Sequence, residues 1–153
     1  MFITIIDSFE KYRNKNALCI KDTYYTYGQL EYYTHSISEE IIKTLPPDDC
    51  AIGILAVDDI LTYAALLAAM FNGKAYVPIN PLYPPFRNAS IIKEAGVKTV
   101  ISALDKNQTV NICGTDKINY FNSNKKTIKP IKFNTKYDAD NTLVYILFTS
   151  GST

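Results

Sequence analysis

What the chain lacks removes several functions at once. Its charges nearly balance, with 16 Lys and Arg against 15 Asp and Glu for a net +1. No basic footprint is therefore present for nucleic acid or an anionic membrane. Histidine occurs once, as His35, in a stretch read as helix with no cysteine or acid at the spacing of a catalytic triad. Catalysis and metal binding are not assigned to it. Cys19, Cys50 and Cys113 are odd in number, widely spaced and without a metal-ligand pairing, which reads as reduced structural thiols in a cytoplasm. The longest apolar run, Ala64 to Phe71, is too short to span a bilayer. Met1 to Asp7 has no basic n-region, and Asp7 and Glu10 follow too soon for a signal peptide. Neither G-x-x-x-x-G-K-[ST] nor G-x-G-x-x-G occurs.

What is present fits one globular domain or a piece of one: 153 residues, 47% apolar and 20% charged. Ile3, Ile6, Phe9 and Tyr12 recur at helical spacing. A hairpin follows, with strands at Ala17–Lys21 and Tyr24–Thr26 about a turn at Asp22. Thr26 and Gln29 form a capping box for a helix that carries Leu30, Tyr33, Ile37, Ile41 and Leu45 on one face and stops at Pro46-Pro47. Ala51–Val57 is a continuous apolar run, the mark of a strand covered on both faces. Asp58 or Asp59 caps the helix from Ile60 to Asn72, a reading that suits this acidic pair better than a magnesium site. Ala75–Ile79 is a second buried strand, with Pro78 tolerable only near its end. A helix over Arg87–Ala95 and a strand over Lys98–Ser102 complete an alternation that predicts an α/β fold, a parallel-sheet core flanked by helices. From Asp105 to Asn141 the pattern weakens to a short strand at Ile118–Phe121 and a solvated loop holding Lys125-Lys126. Tyr24, Tyr25, Tyr27, Tyr32 and Tyr33 suit a strand and a helix with one wet edge.

The last eleven residues, Leu143-Val144-Tyr145-Ile146-Leu147-Phe148-Thr149-Ser150-Gly151-Ser152-Thr153, run a buried-strand pattern into a hydroxyl-rich glycine loop. Backbone N–H groups around a flexible Gly can converge on an anion, and the hydroxyls add donors. Together with Thr26-Tyr27-Gly28-Gln29-Leu30 and the stretch from Asn72 to Arg87, which contains Ala75-Tyr76-Val77-Pro78-Ile79-Asn80-Pro81-Leu82-Tyr83-Pro84-Pro85, this segment resembles the adenylate-forming superfamily. The similarity is closest to the adenylation domains of nonribosomal peptide synthetases. It covers nearly the whole chain, with mild departures at Lys74, Asn80 and Phe148.

The resemblance implies that residues 1–153 form the N-terminal portion of the large adenylation domain, ending at the phosphate loop, with the small C-terminal domain absent. It gives Thr149, Ser150, Gly151, Ser152 and Thr153 the β- and γ-phosphates of ATP, and places no catalytic and no metal-binding residue in this stretch. ATP and Mg serve the complete enzyme in the family, and neither is expected to bind tightly to this piece. The implied reaction joins a carboxylic or amino acid to AMP, releases pyrophosphate and passes the acyl group to a thiol, as on a phosphopantetheinyl carrier protein. The expected partners are the remainder of the domain, the acid substrate and such a carrier, with no nucleic acid and no membrane. The proline-rich motif and Arg87 read as structural. Two rivals stand beside this reading: a non-catalytic remnant or interaction module of the same fold, and an unrelated small α/β nucleotide-binding protein.

Overall fold

The computed structural model describes residues 2–122 and 143–149. The amphipathic opening is helix α1 (Phe2–Lys11), followed by an antiparallel hairpin of β1 (Asn16–Ile20) and β2 (Thr23–Thr26). Its two-residue turn puts Lys21 and Asp22 at φ 48° and 62°. Positive φ at both central positions matches the right-handed twist of paired strands. Helix α2 (Tyr27–Thr44) starts on the expected capping box: Gln29 N–H donates to Thr26 Oγ1 at 3.2 Å, and Thr26 N–H donates to Gln29 Oε1 at 2.8 Å. It ends before Pro46, and Lys74 Nζ donates to the carbonyls of Pro46 and Pro47 at 3.3 and 2.8 Å.

The central unit is a four-stranded parallel sheet in the order β4-β3-β5-β6. Its strands are β3 (Ala51–Leu55), β4 (Ala75–Ile79), β5 (Thr99–Ser102) and β6 (Asn119–Asn122). Helices α3 (Ile60–Phe71), α4 (Pro85–Glu94) and α5 (Lys106–Cys113) make the crossovers. Period-2 alternation sorts the side chains. Ile52, Ile54 and Ile101 face α2 and α3 in one core with Phe9, Ile37 and Ile41. Leu55, Val77, Ile79 and Val100 face α4 and α5 in a second core with Ile91, Ile92 and Cys113. At the centre β3 carries Gly53, where an added Cβ would stand 2.9 Å from Val100 and 3.1 Å from Val97.

Helix α3 is apolar nearly all round because it lies in the first core with several of its faces covered. Its cap is Asp59, whose Oδ1 accepts from Thr62 N–H at 2.7 Å. Helix α5 went unread in the sequence: Lys106-Asn107-Gln108-Thr109 offers no apolar stripe. It is fixed instead by its ends, an Asp105 cap accepting from Gln108 N–H at 2.9 Å and a left-handed Gly114. The short strand expected at Ile118–Phe121 is β6, one residue later.

Candidate functional site

Residues 143–149 lie along the outer edge of β4, parallel to it. Tyr76 N–H donates to Val144 O and Ile146 N–H donates to Tyr76 O, both at 3.0 Å. The result is a single bridge, Tyr76 to Tyr145, rather than a strand. Pro78 removes a donor that a longer ladder would use. In a parallel ladder the next bond on this side would run from residue 78 to Ile146 O, and proline has no N–H to give. The segment is also covered on one face only: Ile146 and Phe148 pack against the second core, while Leu143, Tyr145 and Leu147 are exposed. The reading of this stretch as a buried strand is corrected accordingly. Its apolar composition is that of a covered strand; its present surroundings supply half the cover.

Four residues beyond the bridge in each direction-matched chain come Asn80 and Thr149, so Thr149 stands level with the exit of β4 at the carboxyl end of the sheet. Open parallel sheets bind their ligands at this end. Of the five residues assigned to phosphate, Thr149 is described; Ser150, Gly151, Ser152 and Thr153 lie outside the described residues.

The neighbouring turn is held tightly. Leu82 N–H donates to Asn80 Oδ1 at 2.9 Å, and Tyr83 N–H to Asn80 O at 3.1 Å. Asn88, wholly buried in α4, donates through Nδ2 to Asn80 O at 2.9 Å and to Ile112 O at 3.0 Å. One amide thereby ties the exit of β4 to the end of α5. Gly114 closes the same corner: at φ 66° it sits so near Pro85 that a Cβ would come within 2.2 Å of the Pro85 carbonyl oxygen. Arg87 stacks its guanidinium over the Tyr83 ring, 4.5 Å from the centroid. The proline-rich motif is thus a tied corner at the exit of β4, and its Tyr83 packs against the same core as Phe148, the residue before Thr149. Asn88 escaped the sequence reading. Its signal was a polar residue on the same helical face as Ile91 and Ile92.

Other candidates resolve into local structure. His35 has an acid beside it after all, Glu31 Oε1 at 3.8 Å from Nε2. Burial nevertheless lowers its pKa, against the opposing pull of Glu31 and Glu39. Cys113 is buried and its thiol is pushed up to about 11, an inert packing group. A recess of about 410 Å³ is lined by Glu40, Thr44, Leu45, Thr99 and Asn119. It adjoins β6, at the opposite edge of the sheet from Thr149, and carries an acid where a phosphate would need donors. Among the described residues no three His, Cys, Asp or Glu come together as a metal site, and no helix is long and apolar enough to cross a membrane.

Residues 6–153 match the sequence profile of the AMP-binding enzyme family. The chain belongs to that family. Among curated relatives it is 28% identical over 134 residues to chondramide synthase cmdD of Chondromyces crocatus, a match covering 84% of this chain and 3% of that synthase. It is 25% identical over 130 residues to nonribosomal peptide synthetase 8 of Aspergillus fumigatus, covering 84% of this chain and 2% of the synthetase. Among solved structures, the Klebsiella oxytoca NpsA N-terminal subdomain superposes with a TM-score of 0.83 at 19% identity, over 99% of this chain and 39% of that one. The AMP-binding fold is therefore shared, and the chain spans a small share of the length of these relatives.

Proposed function

We propose that residues 1–153 are the front portion of the large domain of an enzyme that activates a carboxylic acid, an amino acid above all, with ATP. The products are an acyl adenylate and pyrophosphate. Thr149 carries the reading: a hydroxyl at the carboxyl end of a parallel edge segment, level with a rigid turn, in a chain of the AMP-binding family. The donor chemistry fits ATP phosphates, since the Thr149–Thr153 stretch offers hydroxyls and backbone N–H groups around Gly151. Bound ATP would supply the electrophilic α-phosphorus and the pyrophosphate leaving group. This chain's own part is to hold the β- and γ-phosphates through Thr149, Ser150, Gly151, Ser152 and Thr153, and to keep that loop in place against the turn from Asn80 to Arg87. Fixed donors of this kind act by positioning and by meeting charge as it develops. No metal step is assigned to the described residues. Transfer of the acyl group to a carrier-protein thiol belongs to the same proposal.

The test is amino-acid-dependent exchange of labelled pyrophosphate into ATP, measured on the longest natural polypeptide that carries these residues. Exchange is expected there, with kcat lowered at least about tenfold by Ser150→Ala, and none is expected from the 153-residue chain alone. Absence of exchange with every amino acid offered to the natural polypeptide would sink the activity. Exchange by the 153-residue chain alone would sink its assigned role as an inactive portion.

A further inference from the structure

The recess beside β6 has a chemistry opposite to that of a phosphate loop. Helix α2 ends at it, with Thr44 and Leu45 in the wall and Glu40 one turn earlier. Pro46 and Pro47 stand four residues after Ile42 and Lys43, where a continuing helix would supply N–H donors, and proline has none. Among the described residues no backbone N–H reaches the carbonyls of Ile42, Lys43 or Thr44. The negative end of the helix dipole is therefore uncompensated beside the recess. The cation of the last turn is engaged elsewhere, since Lys43 Nζ lies 3.3 Å from Glu39 Oε2. The half-buried Glu40 carboxylate has no ion pair and no hydrogen bond among the described residues.

The sheet adds neutral acceptors. Strand alternation puts Thr99 on the same face of β5 as Ile101, toward α2, and Asn119 pairs with Thr99 from β6. Thr99 is only 4% exposed, yet among the described residues its hydroxyl makes no hydrogen bond. A buried hydroxyl of this kind calls for a partner, and the recess that Thr99 lines is where one fits. The volume of about 410 Å³ is much larger than a single ion or a water needs, the latter about 30 Å³, and it falls in the range of small-molecule sites.

We infer that this recess binds a free aliphatic amine in its ammonium form. Its N–H groups donate to the Glu40 carboxylate, the Thr99 hydroxyl and the Asn119 amide oxygen, and its hydrocarbon body lies on Leu45. The end of α2 attracts the positive charge and repels a carboxylate. An α-amino acid, whose carboxylate adjoins its ammonium, is therefore disfavoured, which separates this recess from the amino-acid activation proposed above. None of this chemistry depends on Thr149 or on the phosphate loop.

Equilibrium dialysis of radiolabelled butylamine tests it on the longest natural polypeptide that carries these residues. One saturable site per chain is expected, with a Kd in the millimolar range or tighter. Butanol has the same body without the charge, and norvaline is butylamine with a carboxylate added. Each should compete at least about tenfold more weakly than unlabelled butylamine, a comparison that needs no variant. Glu40→Gln keeps the shape, removes the charge and should weaken binding at least about tenfold. Thr99→Val should weaken it about threefold, while Glu94→Gln, exposed on α4, should leave it unchanged. In the 153-residue chain butylamine should shift the side-chain amide resonances of Asn119. Absence of saturable binding at millimolar amine overturns the inference, as does binding that survives Glu40→Gln or norvaline competing as well as butylamine. Binding of a lysine-rich peptide but of no free amine would make the recess a protein-docking site and overturn the free ligand. Pyrophosphate exchange on the same preparation reads the proposed activity separately. Exchange without amine binding sinks only the amine site, and amine binding without exchange sinks only the activity.

Discussion

Strand β4 has two neighbours of similar composition and unlike fate. On its inner side β3 pairs with it over five residues, Ala51 to Leu55, and four of those five are buried. On its outer side residues 143–149, equally apolar, make one bridge and leave alternate positions exposed and the others half-buried. The difference lies in β4 and in the layers around it. Ala75, Val77 and Ile79 turn their N–H groups inward, while Pro78 falls on the outward side and removes a donor there. Two helical layers then close over β3, and one closes over the outer segment. Apolar composition says that a residue wants cover; the cover itself is a property of the whole assembly.

The sharpest way to test that contrast is to delete the same kind of side chain on both sides. Ile54 is 1% exposed in the first core. Ile54→Ala removes buried methylene groups and leaves a void, a loss of about 3 kcal/mol. Leu147→Ala on the outer segment removes a side chain already in water and should change the stability of the 153-residue chain by less than about 0.5 kcal/mol. Urea unfolding of the two variants measures both. Comparable losses would show that the outer segment is covered in solution.

Asn88 holds the corner where the inner sheet meets the segment bearing Thr149. Asn88→Ala leaves the partly buried carbonyls of Asn80 and Ile112 without this donor and opens a gap where a wholly buried side chain stood, and should cost about 2 kcal/mol. The same variant in the natural polypeptide should raise KM for ATP, because the turn beside Thr149 loses its tie to α5. An unchanged midpoint in urea would show that the two carbonyls find other donors.

The fold was legible wherever local chemistry and burial agree. Thr26 with Gln29, Asp59, Gly73 and Pro46 announce helix ends by what their side chains or backbones can do, and each end falls within a residue or two of its signal. Ile52, Ile54, Val77 and Val100 announce a sheet covered on both faces. Helix α5 was illegible because its stability comes from caps and from Thr109 and Cys113 alone among buried positions. Of the expected site, Thr149 is the described residue, and its place at the sheet's carboxyl end follows from the apolar segment before it; Ser150, Gly151, Ser152 and Thr153 lie outside the described residues. The corner at the exit of β4 was not legible: Asn88 shows in the sequence as a polar residue on an apolar helix face, but nothing local marks the two carbonyls it reaches, 8 and 24 residues away.

The covered half has one group that weakens with acid. His35 lies in α2 with its pKa lowered by burial, although Glu31 and Glu39 pull the other way. The unfolded chain therefore binds more protons at this site as the pH falls below about 6.5, and stability drops over that window. His35→Gln should lose less stability than the unaltered chain between pH 7.5 and pH 5.5, by unfolding midpoints in urea. An equal loss in both would place the acid sensitivity elsewhere.

The smallest expected change in stability gives the most direct break of the opening comparison. Pro78→Ala supplies the N–H that the outer side of β4 lacks, opposite Ile146 O. A new ladder bond contributes about 1 kcal/mol. Greater freedom of the unfolded chain takes back a similar amount, so the unfolding midpoint should barely move. Hydrogen exchange reads what the midpoint hides. If Pro78 is what limits the outer segment to one bridge, the variant should acquire a slowly exchanging amide at position 78, and the Ile146 amide should slow with it. If neither slows, the missing donor is not the limit, and the segment stays loose because its exposed face has nothing to pack against.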